Sequence, residues 1–555
     1  MSTTTLAPPG GRRTVLDDAH VGDIHGALGT IRSHHGPPLG GRRRLLALLA
    51  IMGPGLIVMV GDNDAGGVAT YAQAGQNYGL TLLWVLLLLI PVLIVNQEMV
   101  VRLGAVTGVG HARLIIERFG KFWGAFSVGD LFILNFLTIV TEFIGVSLAL
   151  GYFGVSKDLS VPIAAVALVA MTATGSFRRW ERFMYVFVAT NFVAIPLAIA
   201  SHPHPGAILG HTLTPGVQGG VTSTAMLLII AIVGTTVAPW QLFFQQSNVI
   251  DKRITPRWIN YERADTAIGS VVVIVGAAAL LIAAASAFSG TPLHGQFTDA
   301  GAVATGLAHS LGTTAGDLFA IALLNASIIG AAAVTLASSY AFGDVFGRRH
   351  SLHHGPSDAK AFYGSYAAMV ALAAGIVLIP GAPLGTITTA VQALAGVLLP
   401  SATVFLVLLC NDKAVLGPWT NPGWLNAIAA AIVGVLVVLS AILTATTLFP
   451  HIDVKLLASV LFVGLAVGLL TTGVFVARDR RRAPGPLNLP AGARRPTRPR
   501  GDTAARAGWT MPRLELLARP EWSRTRTVGM YALRGYLLLA VVMLIVKAIE
   551  VGLGH

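Results

Sequence analysis

The chain has almost no cysteine and little charge. Cys410 is its only cysteine, so an intrachain disulfide is impossible and no cluster of thiolate ligands for zinc or copper can form. Charged residues make up 11% of the 555 residues, whereas 54% are hydrophobic and the mean hydropathy is +0.71. No water-soluble core needs that much apolar chain. The composition therefore excludes a soluble enzyme and predicts an all-α protein that crosses a membrane many times.

Acidic residues are also scarce, which leaves a net charge of +13. The excess does not indicate a nucleic-acid partner, because the basic residues are confined to the chain ends and to alternate loops. The set of nucleophile and base that an intramembrane enzyme needs is not recognisable either. The first forty or so residues lack the apolar core of a cleavable signal peptide. We expect residues 1–44 to be a disordered cytoplasmic tail.

Apolar runs of spanning length occur about twelve times between residues 45 and 476, and the fourth run is short. The basic residues between these runs fall on every second loop, which predicts that both ends of the twelve-span unit face the cytoplasm. We expect a multi-pass protein of the plasma (inner) membrane, in contact with its lipids. The runs are Leu45 to Gln76, Leu80 to Gly104, Gly124 to Tyr152, Val161 to Gly175, Phe183 to Ala200, Thr222 to Ser247, Asp265 to Phe288, Gly316 to Gly343, Phe362 to Ile379, Gly385 to Leu409, Trp424 to Leu448 and Leu456 to Val476.

Composition divides the chain into four further parts after the tail. Residues 45–409 form a ten-helix core, and residues 410–477 add two more spans. Residues 478–529 are rich in proline and arginine and are predicted to be a disordered cytoplasmic linker. Residues 530–555 contain an apolar helix from Met530 to Leu553. Its length and its flanking charges permit either a thirteenth span or a helix that lies in the membrane interface.

The first run contains acidic residues where a spanning helix would have its midpoint. Asp62, Asn63 and Asp64 are followed there by an alanine and two glycines. An unpaired charge in hydrocarbon costs several kcal/mol, so an ionisable residue at this depth indicates a functional site. The pattern predicts an unwound helix whose free ends and carbonyls hold an ion. Asp62 is a candidate cap of the broken helix.

The sixth run contains a second break. Pro239 lies at its centre, and because proline lacks an N–H and clashes with the preceding turn, it frees the carbonyls near Thr235 and Thr236. Breaks in the first and sixth helices, five spans apart, predict two inverted five-helix repeats. In that architecture the ion or substrate site lies between the two breaks, and one repeat rocks against the other.

Three segments resemble the Nramp family of divalent-metal transporters. GPGLIVMVGDNDAGGVATYAQAG resembles the family's first helix, with its GPG, DPGN, IAT and QAG elements. LLWVLLLLIPVLIVNQEMVVRLGAVTG resembles the second helix, and TIVTEFIG from Thr138 to Gly145 resembles the TDLAEVIG of the third. The resemblance covers about the first ten spans. It implies a LeuT-like fold, transport by alternating access, and no cofactor beyond the transported metal ion.

The alignment also implies site residues. Asp64 takes the place of the family's metal-binding aspartate, and Gly67 that of its metal-binding asparagine. In the sixth helix the family's MPHN reads APWQ, which puts Ala238 in place of the methionine and Gln241 in place of the asparagine. The thioether that favours manganese and iron over hard ions is therefore missing.

Groups that could carry a proton are missing as well. Trp240 and Gln245 replace two histidines of the family, and Ile139 replaces an aspartate of the third helix. This pattern resembles the Nramp-related magnesium transporters, a branch with alanine for the methionine, a wider cavity and no evident proton coupling. Glu142 remains the one credible proton relay.

Magnesium holds its waters tightly and prefers oxygen ligands in octahedral geometry. A site of one or two carboxylates, carbonyls and amides around a partly hydrated ion suits it. Glycine and alanine at two ligand positions would leave room for water. The candidate residues are Asp64, the carbonyl near Thr235 and Gln241 as ligands, Glu142 and Gln392 as cavity lining, and Gly67 and Ala238 as the replaced ligand positions.

The sequence thus favours a monomeric transporter or facilitator of Mg²⁺, and also of Mn²⁺, without proton coupling. The main alternative is a proton-coupled manganese or iron importer, which competition between magnesium and manganese for uptake would decide. A transporter of small organic solutes fits the adjacent acidic residues only if the solute is cationic. A receptor with a signalling tail is disfavoured because the C-terminal tail is short, basic and low in complexity.

Overall fold

The computed structural model describes residues 16–34, 36–37, 40–381, 384–449, 451–482 and 508–517, with isolated positions at 506, 527, 531, 535, 538 and 542. Most of the linker at 478–529 and of the stretch from Met530 to Leu553 lies outside these residues. The state of the linker and the choice between a thirteenth span and an interfacial helix therefore stay predictions.

Most of the described chain is helical. They are α1 Gly41–Ile51, α2 Pro54–Gly61, α3 Ala65–Tyr78, α4 Leu83–Thr107, α5 His111–Phe119, α6 Lys121–Tyr152, α7 Lys157–Thr172, α8 Phe177–Asn191, α9 Ala194–Ala200, α10 Pro205–Leu213, α11 Ser223–Thr236, α12 Pro239–Asp251, α13 Ile259–Phe288, α14 Ala300–Leu311, α15 Thr313–Phe346, α16 Lys360–Val377, α17 Leu384–Cys410, α18 Lys413–Leu416, α19 Gly423–Leu448 and α20 Val454–Arg482.

Ten helical segments of the described chain are long and apolar enough to cross a membrane. The count is eleven if α1 and α2, which meet at a bend of 50°, are taken as one span. The fourth of the twelve predicted runs forms α7, whose 16 residues are short of the about 20 that a spanning helix needs. Both predicted breaks are present, since α2 is separated from α3 and α11 from α12.

The centre of the bundle is formed by α6, α11, α12, α15 and α17. Almost all of α11 and α12 is buried, whereas α20 lies at the periphery and exposes most of its apolar side chains. Small residues allow the central helices to approach closely. Gly234 of α11 lies against Gly396 of α17 so tightly that a Cβ on either glycine would collide with the opposite helix. The second break therefore sits in the most protected part of the molecule.

The basic end of the bundle is the end where α1 meets α2 and where α12 and α15 finish, since Lys252 donates to the Met52 carbonyl and Tyr340 of α15 donates to Asp251. Arg253 and Arg348 follow α12 and α15 there. The loop charges predict that this end faces the cytoplasm. A short N-terminal segment covers part of it. This segment contains the antiparallel strands β1 Ile24–Gly26 and β2 Gly29–Ile31 and contacts α1 and α8.

The expectation of a disordered tail is wrong for Asp17 to Ile31. The Asp17 carboxylate accepts hydrogen bonds from the Ala19 N–H (3.0 Å), the His350 N–H (2.8 Å) and the His354 ring (2.8 Å). His20 is 3% exposed and its ring lies 3.6 Å from the carboxylate of Asp251. These polar residues look like a solvated tail in the sequence because their partners lie hundreds of residues away.

Candidate metal site

The first break places two carboxylates in the interior. Asp62 and Asp64 lie between α2 and α3 and are 0% and 2% exposed. The Gly67 N–H donates to Asp64 Oδ1 at 2.7 Å, so Asp64 caps α3. The expected capping by Asp62 is therefore wrong. The reason is the register, because Asp64 directly precedes the first helical residue whereas Asp62 follows the last residue of α2.

The N-terminus of α3 has a second carboxylate partner. Glu142, in the middle of α6, accepts a hydrogen bond from the Ala65 N–H at 3.0 Å, and it faces the side chain of Asp64. A carboxylate that accepts from a free N–H at the start of a helix is favoured by the helix dipole. Glu142 thus ties α6 to the break, which sequence reasoning did not predict.

The second break is set by Pro239. Because proline has no N–H, the carbonyl of Thr235 loses the donor that would continue the helix. Ala238 is the N-cap of α12 with an extended backbone, and it is 6% exposed. The Gln241 side chain lies 3.5 Å from the Thr236 carbonyl and accepts a hydrogen bond from Gln97 of α4 at 3.1 Å.

Most of the candidate residues converge on Asp64. Thr235 faces the Asp64 carboxylate, and its hydroxyl would lie 3.2 Å from a Cβ at Gly67. The Gln392 amide of α17 occupies the space that a Cβ at Gly66 would need. The structure therefore gathers Asp64, Gly67, Thr235, Glu142 and Gln392 around the start of α3. Their role as ligands stays a prediction.

Gln241 does not join the group around Asp64, because its amide faces Asp62 instead. Ala238 lies in the backbone between Thr235, which faces Asp64, and Gln241, which faces Asp62. Trp240 packs against Phe244, and the Gln245 amide donates to the Thr266 hydroxyl at 2.8 Å. The two positions that replace histidines of the family are thus occupied by side chains with structural contacts.

Several buried polar atoms around the breaks have no hydrogen-bond partner among the described residues. They are both carboxylate oxygens of Asp62, Oε1 of Glu142, the hydroxyl of Thr235, Oε1 of Gln97 and Nε2 of Gln392. Within the same described ranges, no lysine, arginine or histidine forms an ion pair with these carboxylates. Buried polar groups are normally satisfied, so this concentration indicates a site for a polar ligand.

The donor set limits the kind of ion that fits. The described part of the chain has no cluster of three or more His, Cys, Asp or Glu side chains arranged to hold a metal. An ion at the breaks must therefore complete its shell with carbonyls, amides, hydroxyls or water. Met59, one turn before Asp62, directs its sulfur toward the Ser270 hydroxyl of α13 at 3.7 Å. The candidate ligands that gather at Asp64 are accordingly hard oxygen donors.

The N-terminus of α2, at the opposite end of this helix from the first break, is held by a side chain of α13. The Asp265 carboxylate of α13 accepts hydrogen bonds from the N–H groups of Gly53 (3.0 Å), Gly55 (2.7 Å) and Leu56 (3.2 Å). Three free N–H groups at a helix N-terminus are thereby satisfied by one side chain. The sequence contains a signal for this contact, since Asp265 is an acidic residue at the start of an apolar run.

Comparison with known proteins gives consistent results. Residues 55–446 match the family model described as natural resistance-associated macrophage protein-like, or Nramp. The divalent metal cation transporter MntH of Ralstonia nicotianae is 30% identical over 406 residues, which cover 69% of this chain and 87% of that protein. MntH of Xanthomonas campestris pv. campestris is 29% identical over 430 residues, with 74% and 94% covered.

A solved structure confirms the fold. The manganese transporter of Eremococcus coleocola superposes with a TM-score of 0.60 at 21% identity, and the match covers 81% of this chain and 99% of that one. The predicted LeuT-like arrangement with broken first and sixth helices is therefore confirmed. Together with the match to the family model over most of the chain, these relatives show that the chain belongs to the Nramp family of divalent-metal transporters.

Proposed function

We propose that this protein transports Mg²⁺ as its preferred ion, and Mn²⁺ less well, by alternating access around Asp64. One observation carries the proposal. A buried carboxylate without a cationic partner faces Thr235 and Glu142 between two broken helices, and the family's methionine position holds Ala238. The site thereby combines negative charge with oxygen donors and lacks the thioether that favours softer ions.

The same residues support transport that is not coupled to protons. Trp240, Gln245 and Ile139 cannot change charge near neutral pH, and in the structure they are buried among other helices. Net uptake is then driven by the gradient of the ion and by the membrane potential, which favours entry of a cation at about 2.3 kcal/mol per charge and 100 mV.

The second candidate function is a proton-coupled manganese or iron importer. The structural relative from Eremococcus coleocola is a manganese transporter. Glu142 also supports this reading, because its Oε1 has no hydrogen-bond partner among the described residues and its carboxyl group faces Asp64. A proton released from Glu142 when the ion arrives would couple the two fluxes.

Uptake into liposomes with the purified full-length protein tests both candidates. Mg²⁺, Mn²⁺ and Ca²⁺ are supplied singly and in competition, and a pH-sensitive dye inside the vesicles reports protons. We expect Mg²⁺ uptake that Mn²⁺ competes for, with little acidification. Strong preference for Mn²⁺, together with acidification that tracks the metal and is lost in Glu142→Gln, would establish the proton-coupled alternative instead.

A further inference from the structure

Asp62 is a second buried acid at the first break, and the resemblance to the family gives it no role. It is 0% exposed, and it follows the last residue of α2. Neither of its carboxylate oxygens has a hydrogen-bond partner among the described residues, and none of the ion pairs recorded there includes it. A carboxylate in hydrocarbon without such partners is strongly disfavoured unless a cation or a proton compensates it.

The helix that leads to Asp62 increases this penalty. The C-terminal end of a helix carries the negative end of its dipole, so an anion is unfavourable there and a cation is favourable. The helix dipole favours the charge of Asp64, because Asp64 caps the N-terminus of α3 and accepts a hydrogen bond from the Gly67 N–H. Nothing in the helix geometry therefore explains an acid at position 62, whereas the cap explains the one at position 64.

The surroundings of Asp62 are polar but neutral. The Gln241 amide of α12 faces its carboxylate, and the Tyr71 side chain of α3 lies close to it. Gln97 of α4 donates to Gln241 at 3.1 Å and keeps its own Oε1 without a partner in the described chain. Helices α3, α4 and α12 thus surround Asp62 with amide and hydroxyl groups, which bind metal-bound water well.

We propose that Asp62 is the second carboxylate of the ion site and that it binds the transported divalent cation through the ion's own water, together with Gln97 and Gln241. Asp64 contacts the ion from the other side of the break. This inference rests on the proposed function and deepens it. Asp62 adds negative charge beside Asp64, and the C-terminal ends of α2 and α11 both direct negative potential toward the gap.

The arrangement also accounts for a preference among ions. Mg²⁺ loses its inner waters reluctantly and is bound in proteins with several of them retained. A carboxylate that accepts hydrogen bonds from those waters recognises the hydrated ion. Loss of the Asp62 charge should therefore weaken the binding of Mg²⁺ more than the binding of Mn²⁺. Loss of Asp64 should abolish the binding of both ions.

The test measures thermal unfolding of the full-length protein against Mg²⁺ and Mn²⁺ concentration. Asp62→Asn removes only the charge, Asp64→Asn removes the proposed central ligand, and Glu117→Gln is the matched control in a partly exposed ion pair with Arg113. We expect Asp62→Asn to match or exceed the wild-type Tm without divalent ions, because it removes an unpartnered buried charge. We expect the Mg²⁺ concentration for half-maximal stabilisation to rise about 10–100-fold, the usual cost of losing an outer-shell partner.

Each other result has a defined meaning. If Asp62→Asn responds to Mg²⁺ like wild type while Asp64→Asn does not respond, the inference is overturned and the proposed function stands. A Tm for Asp62→Asn well below that of wild type without divalent ions assigns Asp62 a structural role and also overturns it. If Asp62→Asn does not fold, Gln97→Leu replaces it, and an unchanged Mg²⁺ response overturns the inference. Failure of Mg²⁺, Mn²⁺ and Ca²⁺ to stabilise the wild type would contradict the proposed function itself.

Discussion

Two regions of this molecule bury acidic side chains, and they do so in opposite ways. At the basic end, Glu181 forms an ion pair with Lys252 at 2.6 Å, and both side chains are fully buried. Asp251 accepts hydrogen bonds from the hydroxyls of Tyr340 and Ser351, each at 2.5 Å. At the breaks, by contrast, the neighbours of the carboxylates are backbone N–H groups, neutral side chains and one another, and no ion pair with a cationic side chain is found there within the described chain.

We propose that the difference separates acids that hold the fold from acids that take part in transport. Breaking a buried ion pair is costly because it leaves a charge without compensation, so paired acids are fixed parts of the structure. The unpaired acids at the breaks would, on this proposal, be compensated by the transported ion. Glu262 is intermediate, since its oxygens lack hydrogen bonds in the described chain while Lys252 and the Gln245 side chain interact with it.

The largest expected effect is at the break. Asp64→Ala should reduce Mg²⁺ and Mn²⁺ uptake to the level of empty liposomes, because it removes the carboxylate on which Thr235, Glu142 and Gln392 converge. The protein should still insert and fold. Uptake by purified Asp64→Ala is compared with uptake by Glu117→Gln, and equal rates would disprove the site.

The second prediction removes the cationic partner of an acid at the basic end, so that this acid becomes unpaired like those at the breaks. Lys252→Met leaves Glu181 buried without its ammonium partner, and we expect it to destabilise the fold by about 3–5 kcal/mol. The double variant Lys252→Met with Glu181→Gln should recover most of that loss. Thermal unfolding of the three proteins measures the effect. A single variant as stable as wild type would show that the pair at the basic end is not a structural element.

The third prediction concerns pH at the basic end. Burial lowers the pKa of His350, but the Asp344 carboxylate, 3.2 Å away, more than offsets this and raises the pKa to about 9. The groups facing the His350 ring are the Asp344 carboxylate, the Arg348 carbonyl, the Asp17 carboxylate and the His20 ring.

Because the folded-state pKa lies above that of an unfolded histidine, the protonated ring contributes stability that is fully present below about pH 6.5. That contribution is lost as the pH rises toward 9. We expect the unfolding free energy to fall by up to about 3 kcal/mol across this window. His350→Gln should flatten this part of the pH profile of Tm, and a variant with the same slope as wild type would refute the assignment.

The smallest expected effect is a change in ion preference. Ala238→Met places a thioether at the N-cap of α12, between Thr235 and Gln241. We expect relative uptake to move toward Mn²⁺ and Cd²⁺ over Mg²⁺ by about tenfold, since soft ligands select softer ions. Ala238→Leu is the matched control, because it adds similar volume without sulfur. An identical shift in both variants would assign the effect to cavity size.

The comparison also shows what the sequence can predict. Both breaks follow from local signals, namely acids and glycines within an apolar run and a proline at the centre of another. Which of the two acids caps α3 depends on the exact residues at which α2 ends and α3 begins. No local sequence pattern determines those residues. The contact between Gln97 and Gln241 joins helices 144 positions apart in the chain.

The folded N-terminal segment is the clearest failure of local reasoning. Asp17 and His20 lie in a polar stretch that is typical of a disordered tail. They are buried because residues near 251 and 350 supply their partners. A pattern of polar residues gives no information about partners that distant, so only the tertiary structure reveals the docking.

The most direct test of the central claim is to locate the ion. Crystals of the full-length protein grown with Mn²⁺ give anomalous scattering that identifies the metal, and Mg²⁺ added in excess should displace it. We predict one anomalous peak in the gap between the breaks, within coordination distance of the Asp64 carboxylate and the Thr235 carbonyl, which disappears with Mg²⁺. A peak elsewhere in the bundle, or none between the breaks, would contradict the account.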